Sequence, residues 1–272
     1  MQRIILVTGA SSGIGAATAR ALAGQGNIVY GAARRVELIP EGVFPLRMDV
    51  TDEASIHACV DRIIREKGRI DILVNNAGYG YFGAIENVPM EEARRQLEVN
   101  VFGLAELTCA VLPHMREQGG GHIINIASVA GRAVMYFGGW YNVSKFAVEA
   151  FSDALRMEVR PFGIKVSIIE PGGIHTDWGI IAAKHLAESS EGTPYAKDGG
   201  VMAANMTKGY SAKHFLTDPD AVSRTIVRAC NSRRPRTRYK TGLGARAIVF
   251  FHSLLPDRWW DAIARFLGKK KL

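Results

Sequence analysis

Tyr141 and Lys145 stand four residues apart in YNVSK, inside a stretch whose apolar spacing predicts a helix from Tyr141 to Arg160. Residues at i and i+4 project from one face of a helix, which sets a phenol beside an amine. An ammonium next to a phenol favours the phenolate and lowers its pKa from about 10, so Tyr141 could give or take a proton near neutral pH. Ser128 follows a predicted strand, His122 to Ile126, and offers a hydroxyl that can donate to a carbonyl oxygen. Together they offer a proton donor or acceptor and a hydrogen-bond donor for a carbonyl oxygen. A Tyr and a Lys at this spacing are also common on helix surfaces, so the pair takes its meaning from the rest of the chain.

A second feature is built for an anion. Gly9, Gly13 and Gly15 fall in TGASSGIG, between a predicted strand at Arg3 to Val7 and a predicted helix at Ala16 to Ala23. Glycines there let backbone approach a pyrophosphate, and the helix N-terminus offers unpaired N–H groups to it. NAD-binding units of this type carry an acid on the adenosine ribose at the end of the second strand. Here that end reads Ala32-Ala33-Arg34-Arg35. Two guanidiniums and no carboxylate suit a 2′-phosphate, so the expected cofactor is NADP(H).

The elements that must position these groups alternate. Strands are expected at Arg3 to Val7, Ile28 to Ala32, Val43 to Met48, Ile70 to Val74, His122 to Ile126 and Lys165 to Ile169. Helices are expected between them, including Asp52 to Lys67 and Met90 to Met115. The pattern implies an α/β fold: a Rossmann-type, doubly wound parallel sheet covered on both faces in three α/β/α layers. Residues 1–245 read as the catalytic domain, with a mobile substrate lid of some helical content at 172–215, then a helix from Pro219 to Cys230. Residues 246–272 read as a basic, apolar extension.

Taken in order, TGASSGIG, Asp49 after the third strand, NNAG at Asn75 to Gly78, Asn100, Ser128, the Tyr141-x-x-x-Lys145 pair, and Pro171-Gly172 with Thr176 resemble the short-chain dehydrogenase/reductase family. The likeness runs from Arg3 to about Thr176. It implies that Tyr141 is the general acid/base, that Lys145 adjusts it and holds the nicotinamide ribose, that Ser128 polarises the carbonyl, and that Asn100 supports a helix distortion and a proton relay. It further implies a cofactor site lined by Gly9, Ser11, Ser12, Gly13, Ile14, Gly15, Arg34, Arg35, Asp49, Val50, Asn76, Ala77 and Gly78. Tyr141, Lys145, Pro171, Gly172, Ile174 and Thr176 would complete it on the nicotinamide side. The segments around YNVSKFAVEAFSDALRMEV and EPGGIHTDW are similar to members acting on steroids, retinoids and other lipophilic alcohols, which points to an apolar or bulky carbonyl substrate. Val134, Met135, Tyr136, Phe137 and Trp140 are placed to form an apolar wall near Ser128 and Tyr141. The competing reading is a non-catalytic NADP(H)-sensing regulatory or scaffold protein. Intact Ser128, Tyr141 and Lys145 speak against it.

Composition bounds the remainder. With 272 residues, 47% hydrophobic and 22% charged, disorder and collagen are excluded. Cys59, Cys109 and Cys230 are widely spaced and without a CxxC, which argues against a disulfide framework and a cysteine zinc site. The histidines offer no HExxH, so no metal is expected, and His122 reads as structural. No apolar run approaches the ~20 residues that span a bilayer, and no signal peptide is evident, so the expected location is cytoplasmic. The net charge of +8 is uneven: from Arg228 onward 12 Lys and Arg face 2 acids, and before it 22 face 24. No groove-reading motif accompanies that charge, so no nucleic-acid partner is expected. The basic tail, with Phe250, Phe251, Trp259, Trp260 and a Lys269-Lys270-Lys271 end, fits packing on the domain or a partner subunit of a dimer or tetramer better than an interfacial helix on anionic lipid, which stays open.

Overall fold

A computed structural model of the chain describes residues 2–211 and 216–269. Its sheet is wholly parallel, in the order β3-β2-β1-β4-β5-β6-β7. The strands are β1 (Ile4–Thr8), β2 (Ile28–Ala33), β3 (Phe44–Arg47), β4 (Ile72–Asn75), β5 (Gly121–Ile126), β6 (Ile164–Pro171) and β7 (Arg238–Thr241). Alternate side chains of the central strands enter opposite cores, which is why their sequences are apolar at nearly every position. Leu6, Leu73, Ile123 and Val166 face α2 (Glu53–Lys67), α4 (Gly103–Glu117) and α5 (Gly139–Val159), meeting Ile63, Leu107 and Leu155. Ile5, Val7, Val74 and Ile124 face α1 (Gly13–Ala23) and α8 (Pro219–Asn231), meeting Leu22 and Ile226. The strand order reverses between β2-β1 and β4, leaving a crevice beyond the carboxyl ends where this architecture binds ligands.

Three segments differ from the sequence expectation. The strand β7 was not expected, because RYKT is short and charged; it forms the edge beside β6, where polar side chains keep water. The single helix expected from Met90 to Met115 is two helices, α3 (Met90–Leu97) and α4, joined by a π-helical turn at Glu98–Phe102. Gly103 follows that turn against the Val50 carbonyl, with no room for a Cβ. The lid is more ordered than its composition suggests, with α6 (Asp177–Ser190) packed on α7 (Ala196–Ser211). Glycine weakens helices in isolation, but here it admits close packing: Gly179 abuts the Tyr210 ring and Gly199 abuts Ser190. Lid residues 212–215 lie outside the described residues.

The tail forms α9 (Ala245–Leu254) and α10 (Asp257–Lys269). α10 lies on α7: Lys269 pairs with Asp198 at 2.5 Å, and the Trp260 indole donates to the Val134 carbonyl at 3.0 Å. The Lys270-Lys271 end lies outside the described residues. No helix among those described is long and apolar enough to cross a membrane. Leu107 is fully buried between α4 and the sheet, so Leu107→Ala is expected to cost about 2–5 kcal/mol, read as a lower urea midpoint at unchanged slope; an unchanged midpoint would contradict this account of the core.

Candidate active site

The site begins with a clamp across the sheet's crevice. Thr8 closes β1, and its Oγ1 accepts the backbone N–H of Asn76 and of Ala77, each at 2.9 Å. The Asn76 amide returns a bond to the Thr8 carbonyl at 2.9 Å. This clamp holds the glycine loop down. Gly9 has φ +65°, and a Cβ there would stand 2.9 Å from the Asn76 amide nitrogen; a Cβ on Gly15 would run into the Gly9 carbonyl oxygen. Ser12 occupies the N-cap of α1 without a side-chain cap, and the first turn contains no acid. The helix therefore presents uncapped N–H groups and its positive end. Ser11, Ser12 and Gly13 line a cavity of about 480 Å³ with Arg20 and His175, while Ile14, half-buried, packs against the α1 core.

The other expected cofactor residues also follow strand ends. Arg34 and Arg35 follow β2, are exposed, and form no ion pair among the described residues. Asp49 follows β3. Burial works to raise its carboxyl, but bonds from the Thr51 N–H at 3.0 Å and hydroxyl at 2.8 Å, with Arg34 and Arg95 nearby, outweigh it and hold the pKa down. Gly78 passes so close to Asn100 that a Cβ would lie 2.9 Å from Oδ1. After β6, the Gly172 N–H donates to the Thr241 carbonyl at 2.8 Å, Ile174 is buried and bridged to Thr217, and Thr176 starts α6 beside Gly13. An open helix N-terminus, a cradle without Cβ atoms and two unpaired guanidiniums fit a phosphorylated dinucleotide.

Ser128, Tyr141, Lys145 and Asn100 converge beside this crevice. Ser128 caps a short 3-10 turn at Val129–Gly131, accepting from the Ala130 N–H at 3.1 Å and donating to the Pro171 carbonyl at 3.4 Å. Tyr141 and Lys145 share the buried face of α5, with Lys145 Nζ 5.9 Å from the Tyr141 ring centroid and donating to the Ile126 carbonyl at 2.9 Å. Asn100, in the π-helical turn, donates to the Tyr79 carbonyl at 2.8 Å and to Ser144 Oγ at 3.0 Å, and accepts from the Tyr79 N–H at 3.0 Å. Ser144 in turn donates to the Tyr141 carbonyl at 2.8 Å. The turn thus braces α5 where the phenol leaves it.

Burial acts on both Tyr141 and Lys145 of α5. Burial pushes the Tyr141 phenol up; a Ser128 hydrogen bond pulls it back only in part, and Tyr210 adds to the rise. Burial lowers the pKa of Lys145 from 10.5 to about 8, against a smaller opposing effect of Glu149. Desolvation penalises the charged form of each group and is the largest cause of each shift. Burial thus favours the uncharged phenol of Tyr141, the form that can donate a proton.

Several site residues were invisible to sequence reasoning. Trp178 lies over Tyr141, with ring centroids 4.9 Å apart, and makes an edge contact with Phe82 at 5.8 Å. Its signal was its place in HTDW, two residues after Thr176. Phe137, Met135 and Tyr136 join the same cluster, as expected of the apolar wall, whereas Val134 is half exposed. Phe137 takes φ +57°, the only non-glycine residue in the left-handed region among those described, a strained backbone in the wall itself. Glu149 is one turn beyond Lys145. Burial and neighbouring Glu170 raise it to about 7 against the pull of Arg238 and Arg132; its i+4 spacing was the missed signal. Behind the site, Asn75 donates to Asn125 at 2.9 Å and to Thr108 at 3.0 Å, joining β4, β5 and α4. Outside it, exposed Glu53 and His57 lie near Glu106 on α2 and α4.

The Lys145 shift has a stability consequence with a definite sign. Its folded pKa of about 8 lies below the ordinary 10.5, so the folded state binds fewer protons than the unfolded state between those values, and stability rises with pH across that window. Below about pH 8 the full penalty applies. Lys145→Met is therefore expected to be more stable than the parent at pH 7, by up to about 3 kcal/mol, with the difference shrinking above pH 8. Denaturant titration of the cofactor-free proteins checks this; a variant less stable at pH 7 would contradict it.

Comparison with known proteins agrees with the geometry. Residues 3–185 match the family model for the short chain dehydrogenases. The chain is 47% identical over 186 residues to a 3-ketodihydrosphingosine reductase of Bacteroides thetaiotaomicron, covering 68% of each chain. It is 34% identical to an NADPH-dependent 3-dehydrocapnine reductase of Ornithobacterium rhinotracheale, covering 96% of this chain and 95% of the relative. Among solved structures, a short-chain dehydrogenase from Streptomyces avermitilis superposes with a TM-score of 0.80 at 33% identity, over 98% of this chain and 96% of its own. A parallel sheet with an open crevice, a glycine loop clamped between its central strands and a phenol and amine buried beside it thus belong to an oxidoreductase, and the chain is a member of the short-chain dehydrogenase/reductase family.

Proposed function

We propose that this enzyme is an NADP(H)-dependent reductase of a bulky, apolar ketone or aldehyde, working reversibly as an alcohol dehydrogenase. The observation that carries the reading is geometric: the Tyr141 phenol and the Lys145 amine share the buried face of α5, beside Ser128 just after the end of β5. Bound NADPH supplies the hydride. The chain's own residues do the rest: Ser128 donates to the carbonyl oxygen, and Tyr141 delivers its proton to the alkoxide as charge develops there. Lys145, with a pKa of about 8, holds the cofactor ribose and keeps a proton within reach of Tyr141. Asn100 fixes the start of α5 and carries the relay. Arg34 and Arg35 hold the 2′-phosphate, Asp49 and Val50 the adenine side, and Asn76, Ala77 and Gly78 the adenosine; Pro171 to Thr176 seat the nicotinamide.

Phe82, Phe137, Tyr141 and Trp178 form a largely apolar enclosure, which favours a lipophilic substrate. The names of the two curated relatives, both keto-compound reductases, point the same way. Trp178 covers the phenol, so the lid helix α6 must shift for a ketone to reach it. A homo-oligomer is supported by exposed Phe102, Val143 and Phe146 on the π-helical turn and α5.

Two outcomes are expected in NADPH oxidation with long-chain keto-compounds. Tyr141→Phe should lower kcat/KM by about 10²–10⁴ with NADPH affinity unchanged; near-normal turnover would overturn the acid role. Replacing Arg34 and Arg35 by Ala should weaken NADPH by about tenfold or more and leave NADH untouched; equal loss for both cofactors would refute the 2′-phosphate assignment.

A further inference from the structure

The edge strand and the basic tail together form a chemically unusual face. β7, the edge strand, runs between the end of α8 and the start of α9. There Arg234, Arg236, Lys240 and Arg246 line a cavity of about 890 Å³ with Phe250 and Phe251. The four cations are exposed and form no ion pair among the described residues, whereas neighbouring Arg238 is matched to Glu149, Asp153 and Glu170. No carboxylate lines the cavity. Phe250 is 58% and Phe251 54% exposed.

α10 continues the pattern. Trp259, Ile263, Phe266 and Leu267 follow i, i+4, i+7, i+8 spacing and form one face of the helix. All are exposed, Trp259 at 66% and Leu267 at 64%. Trp260 and Gly268 take the opposite role, packing on Val134, Tyr136 and Met202. The helix is therefore seated by one face and leaves its apolar one uncovered.

We propose that the β7 edge, α9 and α10 form a docking face for an anionic lipid bilayer, with lipid phosphates in the cationic cavity and Phe250, Phe251 and Trp259 entering the headgroup boundary. Charge complementarity selects this occupant. A second copy meeting the face about a two-fold axis would set the same cations against one another. A nucleic acid would satisfy the cations but leave Trp259, Phe266 and Leu267 in water. A bilayer with acidic headgroups satisfies both, as amphipathic basic helices do at membrane surfaces. The proposal is independent of which carbonyl compound Tyr141 meets.

Flotation of the full chain with vesicles of phosphatidylcholine alone, or in equal parts with phosphatidylglycerol, tests it. The expected result is binding to the anionic vesicles only, weakened by salt. Binding should fall by about tenfold or more in a triple variant Arg234→Glu, Arg236→Glu, Arg246→Glu, and also in Phe250→Ser, Phe251→Ser, Trp259→Ser, with thermal unfolding and NADPH affinity of both variants at the parent's values. If a variant fails to fold, single substitutions of Arg246 and Trp259 should each weaken flotation. Absence of flotation with anionic vesicles at low salt would overturn the proposal. So would full binding by both variants, or a concentration-dependent dimer or a DNA complex that forms through these residues while vesicles do not bind.

Discussion

Two ionisable groups share one desolvated helix face, and the consequences of that burial organise the site. Neither the Tyr141 phenol nor the Lys145 amine holds charge easily where it sits: the first is driven up and the second down to about 8. A simple pairing argument assigns the ammonium the dominant influence on the phenol. Inside the protein, removal of water is the largest cause of both shifts, and the Lys145 Nζ is turned to the Ile126 carbonyl. The outcome is an acid held in its protonated form beneath Trp178, with a hydroxyl from Ser128 beside it. That arrangement suits proton delivery to a developing alkoxide better than it suits a resting phenolate.

Such a site survives only if the backbone around it is rigid. Thr8 and Asn76 tie β1 to β4 at the point where a nucleotide would lie, and Asn75, Asn125 and Thr108 knit β4, β5 and α4 below. Asn100 uses its amide group on Tyr79 and Ser144, and Ser144 holds the backbone of Tyr141. Buried polar networks of this kind are costly when incomplete. Here they convert the crevice of a parallel sheet into a fixed frame, with α6 and α7 set above it.

What the sequence made legible follows from how local each signal is. The glycine loop, the four-residue step from Tyr141 to Lys145 and the missing acid at Arg34-Arg35 are contiguous, and β1 to β6 announce themselves as apolar runs because both their faces are covered. β7 did not, since an edge strand such as RYKT can stay polar. α7 did not, since Gly199, Gly200 and Gly209 argue against a helix until tertiary contact explains Gly199. The π-helical turn at Asn100 interrupts a pattern that reads as one helix. Trp178, the sign of the Tyr141 shift and the cationic cavity depend on residues remote in sequence: Phe82 and Trp178 cover Tyr141, and Arg234 meets Arg246 only through the path of β7.

The claim that burial, and not the neighbouring amine, sets the state of the phenol can be measured directly by ultraviolet titration of phenolate in the cofactor-free protein, taken as the difference between the parent and Tyr141→Phe. The account predicts that no ionisation assignable to Tyr141 appears below the ordinary tyrosine value of about 10. A difference signal that titrates near neutral pH would contradict it.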